Sequence, residues 1–127
     1  MHGELIHGEL TEKVIGAAIE VHKHLGPGLL ESAYESCLCH ELSLRGLSFE
    51  RQVALPLDYK DLHVPSAFRL DLVVEDKIIV ELKSQEGILA VHEAQLMTYL
   101  RLTGKRVGLL LNFNVPTMKD GITRRVL

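Results

Sequence analysis

The sequence predicts one α/β domain in which helices flank a central mixed β-sheet, with elements in the order α-β-β-β-α-β. Apolar residues recur at helical spacing near both ends of the chain and alternate with polar residues in the region between. The late run "RVGLLLNF" is almost entirely apolar, which is typical of a strand covered on both faces. With 127 residues, the chain can bury one core, and we expect a single domain over residues 1–127.

The first helix is predicted from about Thr11 to Leu25, where "GPG" at 26–28 ends it. Residues 1–10 contain the tetrapeptide HGEL twice and are expected to be a flexible lead. A second helix is predicted from about Leu29 to just before Gly46, with an apolar side formed by Leu30, Tyr34, Cys37, Leu38 and Leu42. A third should run from about Leu89 to Thr103, closed by Gly104.

The strands are predicted from alternation and turn residues. "FERQVALPLDYKDLHVP" should form strands joined by a turn near Asp61, and Pro56 indicates an edge strand or a bulge. The hairpin "FRLDLVVEDKIIVELKS" follows, and "ITRRVL" at the end is typical of an edge strand. Pairing through "GLLLNF" and this tail is our hypothesis for a homodimer.

The hairpin brings charged residues together. A turn centred on Asp76 pairs Leu72 with Val80, Val74 with Ile78 and Leu70 with Leu82 on one apolar face. The same register sets Asp71 opposite Glu81, with Cβ atoms about 5 Å apart, and puts Lys83 on the same face. Val73 and Ile79 share that face, which indicates a covered strand pair. Covered carboxylates require a cation.

Two helices carry further candidates. Glu31 shares a stripe with Tyr34 at the border of the buried side, and its alternative role is to favour the first turn of a helix. On the third helix, His92, Gln95 and Tyr99 form a polar stripe. A core histidine and tyrosine with ordinary hydrogen bonds would explain that stripe equally well.

Taken together, these residues favour metal-assisted hydrolysis. Three carboxylates, from Glu31, Asp71 and Glu81, facing one point suit a hard cation such as Mg²⁺. A lysine beside the metal can stabilise negative charge on a phosphate under attack and help orient the attacking water.

At these residues the chain resembles a known family. Asp71 followed by Glu81-Leu82-Lys83 resembles the core of the PD-(D/E)XK nuclease superfamily, with Leu70 in place of the proline. "GLLESAY", residues 28–34, is similar to the GxxExxY protein family within it, and "QLMTY", residues 95–99, resembles the QxxxY element of the RecB-like branch. The similarity runs from about Val14 to the end.

The resemblance implies a restriction-endonuclease-like core and a nuclease that acts on nucleic acid, with DNA as the expected substrate. Asp71 and Glu81 would be ligands of Mg²⁺ or Mn²⁺, with Glu31 a direct or water-mediated ligand. Lys83 would be the catalytic lysine, and Gln95 and Tyr99 would contact the phosphate or hold Lys83. His22 and His92 lie in segments that resemble the family, and they would hold other site residues in place without contacting the metal.

Composition narrows the alternatives. The net charge of −3 argues against a strong non-specific DNA binder, although Arg101, Lys105 and Arg106, and separately Lys119, Arg124 and Arg125, could form a local basic rim. The plain interpretation of both groups is that they are solvated surface residues. There is no Walker loop, and His22 and His24 point to different sides of a helix and cannot share one zinc.

The remaining expectations concern location and class. The polar start of the chain and its reduced cysteines, Cys37 and Cys39, are typical of a cytoplasmic protein. The rival hypothesis is a non-catalytic module with a nuclease fold that binds nucleic acid or a protein partner. The net charge of −3 and the small size favour this rival, because a minimal core has little surface for gripping a duplex. A nuclease that works as a homodimer or within a larger complex would overcome the same shortage of surface.

Overall fold

The computed structural model describes residues 5–127 as helices packed on both faces of one sheet. In chain order the elements are α1 Gly8–Leu25, α2 Glu31–Leu44, β1 Phe49–Tyr59, β2 Leu62–Val74, β3 Ile78–Lys83, α3 Ala90–Thr103, β4 Val107–Asn112 and β5 Ile122–Val126. A single 3-10 turn, Met118–Gly121, precedes β5. The predicted order is confirmed, with two helices at the start and the tail strand at the end.

Helix α1 begins at Gly8, three residues before the predicted start. Residues 8–10, expected in the flexible lead, are therefore helical, and residues 1–4 lie outside the described part of the chain. Val14 and Ala18 are fully buried. The helix ends at Leu25 and is followed by Gly26, whose φ of 69° is a backbone conformation that glycine adopts without strain.

Helix α2 begins two residues later than predicted, because Leu29 and Leu30 stay in the extended loop. Its buried side includes Tyr34, Leu38 and Leu42 as predicted. The prediction was wrong for Leu30, which is 78% exposed, and for Cys37, since Cys39 is the buried cysteine. Neither cysteine forms a disulfide, as expected. Helix α3 ends at Thr103 and is closed by Gly104, as predicted, and Gly104 has a left-handed φ of 74°.

The five strands lie in the order β1-β2-β3-β4-β5. All neighbours are antiparallel except β3 and β4, which are parallel and joined through α3, so the sheet is mixed. Strand β1 is an edge strand with a register shift between Leu55 and Leu57, which confirms the expectation for Pro56. Strand β4 pairs on both sides and offers no free edge, so the "GLLLNF" segment cannot support the strand pairing we predicted for a homodimer.

The sheet has a core on each face. One core joins α1 and α2 to inward residues of β2, β3 and β4, such as Leu72, Val80 and Leu109. The other joins α3 to Val73, Ile79 and Leu110. This arrangement is consistent with the restriction-endonuclease-like core that the resemblance implied. Within residues 5–127, no helix combines the length and apolar character needed to cross a membrane.

Candidate active site

The β2–β3 hairpin has the register that the sequence predicted over its first half. Leu72 pairs with Val80, Val73 with Ile79 and Val74 with Ile78. The turn follows from two residues with left-handed backbone, Glu75 and Asp76, whose φ angles are 53° and 54°. The N–H of Lys77, at the end of this turn, donates to the carbonyl of Val74 at 2.9 Å.

Beyond Leu72 the backbone ladder stops and two carboxylates replace it. The Asp71 N–H donates to Glu81 Oε2 at 2.8 Å, and the Leu82 N–H donates to Asp71 Oδ2 at 2.9 Å. Each carboxylate therefore bonds to the strand that carries the other. Within residues 5–127, the second oxygen of each carboxylate accepts no hydrogen bond. One oxygen of each acid thus remains available at the point where the strands separate.

One predicted pairing in this hairpin was wrong. Leu70 and Leu82 do not share an apolar face, because Leu70 packs in the core under α3 and Leu82 packs in the core under α1 and α2. Residues two apart on a regular strand point to the same face. Leu70 and Leu72 point to opposite cores, so β2 is kinked at Asp71.

The carboxylate pair is electrostatically strained. Glu81 is only 8% exposed, and burial, followed by the negative charge of Asp71, raises its pKa to about 8. Burial also raises the pKa of Asp71, with Glu35 and Glu31 adding to the effect. A divalent cation would remove this repulsion, and carboxylate oxygens are the ligands that Mg²⁺ prefers. The donor set and its charge therefore fit such an ion.

Lys83 lies at the end of β3, half-buried and in register with Asn112 of β4. It follows Glu81 by two residues on β3, and its positive charge lowers the pKa of both carboxyl groups. Among the residues described, Lys83 has no carboxylate within ion-pair distance. Its ammonium group is therefore available to a ligand.

Glu31 stands at the rim of the pair rather than in it. It is exposed, not at the border of the buried side as predicted, and its Oε2 accepts a hydrogen bond from Ser84 N–H at 3.3 Å. Its charge contributes to the raised pKa of Asp71 and Glu81. Between residues 5 and 127, no three acidic, histidine or cysteine side chains converge as a metal cluster. The expectation of three carboxylates facing one point is therefore not met in this conformation.

Tyr34, the last residue of the "GLLESAY" segment, orders the loop before α2. Its hydroxyl donates to the Gly26 carbonyl at 2.5 Å and accepts from Leu29 N–H at 3.1 Å. Its ring stacks on Phe113 with centroids 4.5 Å apart. This fixes the start of the helix that carries Glu31.

Helix α3 contributes a second side to the site. Tyr99 is 9% exposed, its ring lies 5.6 Å from that of Phe68, and burial and the charges of Glu81 and Asp71 raise its pKa. Gln95 precedes it by one turn and is exposed. His92 instead caps α3, because its Nδ1 accepts from Leu89 N–H at 3.1 Å. The structure thus packs Tyr99 against the strands that carry the carboxylates and leaves Gln95 on the helix surface.

His22 contacts the loop after β4 and is not hydrogen-bonded to the carboxylates. Its Nε2 lies 2.8 Å from the Val115 carbonyl. Most of the basic residues considered as a rim bond within the chain: Lys105 to Asp76, Arg125 to Glu93, Arg106 to Leu127, Arg124 to Ile6 and Arg101 to Thr98. They are less free to bind phosphates than their sequence grouping suggested.

Two residues near the site were missed in the sequence. Glu35 is buried, its charge raises the pKa of Asp71, and it accepts hydrogen bonds from Arg51 and Gln52. Asn112 is 3% exposed and bonds both N–H and carbonyl of Gln85, which fixes the loop that follows Lys83. Glu35 could have been found from its position one turn after Glu31, and Asn112 from being the polar end of an apolar run.

Comparison with known proteins assigns the family. No curated protein and no solved structure matches the chain. The model of the PD-(D/E)XK nuclease superfamily matches residues 8–125, which includes every helix and every strand described above except the last residue of β5. The carboxylate pair and Lys83 lie on adjacent central strands within that match. We conclude that the chain belongs to the PD-(D/E)XK nuclease superfamily.

Proposed function

We propose that the protein is a metal-dependent nuclease that hydrolyses phosphodiester bonds in DNA. The observation that carries the proposal is the pair formed by Asp71 and Glu81. Each acid bonds to the opposite strand and leaves one oxygen free, and burial together with mutual repulsion raises the pKa of both. Members of the superfamily generally use divalent ions. This pair is therefore the best supported place for one.

In this proposal Asp71 and Glu81 hold Mg²⁺ or Mn²⁺, which when bound supplies a Lewis acid and lowers the pKa of water. Glu31 is a further ligand through its own oxygen or through a water. Its support is its charge near both acids and its place at the start of α2. Movement of the Glu31 side chain away from Ser84 would be required for direct contact with the ion.

Lys83 is the proposed catalytic lysine. An ammonium group near the reacting phosphate stabilises the negative charge that develops on its oxygens and helps orient the attacking water. The support is that Lys83 adjoins both carboxylates and forms no ion pair within the described part of the chain. Gln95 and Tyr99, one turn apart on α3, would contact the substrate phosphate or hold Lys83.

We infer further that the protein lies in the GxxExxY group and the QxxxY branch of the superfamily. The support is that the matching residues have distinct places around one pair of strands. Glu31 and Tyr34 order the start of α2 near Ser84, and Tyr99 borders the carboxylates from α3.

The test is cleavage of labelled single-stranded, duplex and branched DNA with Mg²⁺ or Mn²⁺. We expect cleavage that EDTA abolishes and that Lys83→Ala lowers by about 100-fold or more. Lys77→Ala is the matched control, since this exposed lysine lies on the same hairpin. Asp71→Asn should additionally abolish the rise in melting temperature that Mn²⁺ causes. Cleavage unaffected by Lys83→Ala would contradict the assigned role.

A second candidate is a non-catalytic module that binds nucleic acid or a protein partner. Two observations favour it: the net charge of −3, and the lack of a converged three-ligand cluster among residues 5–127. A nuclease that works as a homodimer or within a larger complex would have a larger surface available to a duplex, which would answer the argument from charge. Nucleic acid binding that is equal with Mn²⁺ and with EDTA, without cleavage of any of the three DNA forms, would establish this candidate over the nuclease.

A further inference from the structure

Gln52 has a backbone conformation that is unusual inside a strand. Its φ is 51°, in the left-handed region that residues with a side chain rarely adopt. The flanking pairs, Arg51 with Leu72 and Val53 with Leu70, set Gln52 opposite Asp71, yet within the described sheet these two residues do not pair. The irregularity in β1 therefore lies directly across from one of the two acids.

Strand β2 changes direction at the same level. Leu70 packs under α3 while Leu72 packs under α1 and α2, although a regular strand would point both to one face. The Asp71 N–H turns away from β1 and donates to Glu81. The kink in β2 and the left-handed residue in β1 are thus two sides of one distortion, and this distortion sends the Asp71 backbone toward Glu81.

A buried acid on α2 forms hydrogen bonds to the distorted part of β1. Glu35 is 7% exposed, and its two oxygens accept from Gln52 Nε2 at 2.8 Å and from Arg51 Nε at 3.1 Å. Both donors belong to the distorted part of β1. Glu35 also follows Glu31 by one helical turn, so a single face of α2 contacts the distortion and presents Glu31 near the acids.

We propose that Gln52 and Glu35 are positioning residues that set the separation of the Asp71 and Glu81 carboxylates for a divalent cation. The inference rests on the proposed function for the identity of the ligand. Left-handed backbone at a residue other than glycine costs free energy and persists where surrounding contacts impose it. Residues that orient metal ligands commonly change metal affinity by about 10- to 100-fold when they are altered.

The experiment separates backbone conformation from side-chain contact. Gln52→Gly and Gln52→Val both remove the hydrogen bond to Glu35, but glycine tolerates a positive φ and valine resists it. Gln52→Ala is a milder version of the valine change in case that variant does not fold. Mn²⁺ affinity is measured by calorimetry. Hydrogen exchange of the Asp71 and Leu82 amides reports the strand separation without metal or activity.

We expect Gln52→Val, or Gln52→Ala in its place, to weaken Mn²⁺ binding by about tenfold and to change the protection of both amides. Gln52→Gly should stay within about threefold of the wild type because glycine can keep the backbone conformation. Glu35→Ala should also weaken Mn²⁺ binding, because the bonds to Arg51 and Gln52 are lost. Glu41→Ala, on the same helix, is the control and should leave Mn²⁺ affinity unchanged. Wild-type Mn²⁺ affinity in the valine or alanine variant, or unchanged amide protection there, would overturn the proposal.

Failure of the proposed function gives a different result. If the wild type binds no Mn²⁺ and cleaves no DNA, the metal assignment is wrong. In that case the amide exchange of Asp71 and Leu82 still decides whether Gln52 sets the geometry of the acid pair. A change confined to the valine or alanine variant supports the positioning role, and equal exchange in all variants refutes it.

Discussion

Replacement of Glu81 by glutamine should remove most of the pH dependence of stability that this site causes. In the folded protein, burial and the charge of Asp71 hold the Glu81 pKa at about 8, compared with an ordinary value of 4.5. Between these values the folded state keeps a proton that the unfolded state has lost. The free energy of unfolding therefore falls as pH rises from 4.5 to about 8.

The size of this effect follows from the two pKa values. Each pKa unit corresponds to about 1.4 kcal/mol, so the loss has an upper limit on the order of 5 kcal/mol, shared with Asp71 because the two acids titrate together. Glutamine at position 81 does not ionise and can still accept the hydrogen bond from Asp71 N–H. Glu81→Gln should match the wild type below the window and be the more stable protein above it.

The assay is urea unfolding with EDTA at a series of pH values across this window. Glu86→Gln, an exposed change in the loop after β3, should follow the wild type. Adding Mn²⁺ should flatten the wild-type curve, since an ion bound at the acids replaces the proton. Parallel pH curves for the wild type and Glu81→Gln would refute the reasoning that burial and repulsion destabilise the ionised pair.

Three further changes test packing around the site. Tyr34→Phe should lower the free energy of unfolding by about 1–3 kcal/mol in urea, because two backbone groups lose their partner, whereas Tyr59→Phe, at a residue 60% exposed, should have no effect. Gly121→Ala should lower the free energy of unfolding by more than about 3 kcal/mol or prevent folding, since its Cβ would overlap the Asn112 carbonyl oxygen. Gly87→Ala, whose Cβ meets open space, should fold normally by circular dichroism. Asn112→Ala should lower the melting temperature and increase protease cleavage in the loop after Lys83, and an unchanged cleavage pattern would contradict its role in holding that loop.

The hairpin could be predicted well because its alternation leaves little freedom. A slip of one residue would mix the apolar residues with the charged ones, so the register of Leu72, Val73 and Val74 followed from the sequence. The kink at Asp71 could not be predicted, and neither could the positive φ at Gln52 on the opposite strand. Glutamine carries no turn preference of the kind that marks glycine or asparagine.

The position of the third acid was harder to predict for another reason. The stripe shared with Tyr34 placed Glu31 at the border of the buried side, whereas Glu31 is the first residue of α2 and is exposed there. Glu35 is buried because Arg51 arrives from β1, and such a tertiary ion pair leaves no local pattern in a sequence. Burial of an acid therefore depends on partners from distant parts of the chain, which a local sequence pattern does not show.

The strand order of the sheet, which follows chain order, bears on how the site assembles during folding. The bonds of the acid pair join residues 10 and 11 positions apart, whereas the bond from Ser84 to Glu31 spans 53. Contacts of short sequence separation form at a lower entropic cost than distant ones. The contacts between the strands that carry the two acids can therefore form first, and docking of β1 and α2 afterwards sets their geometry and adds Glu31. A nascent or partly unfolded chain would therefore bring Asp71 and Glu81 together before Glu31 reaches them.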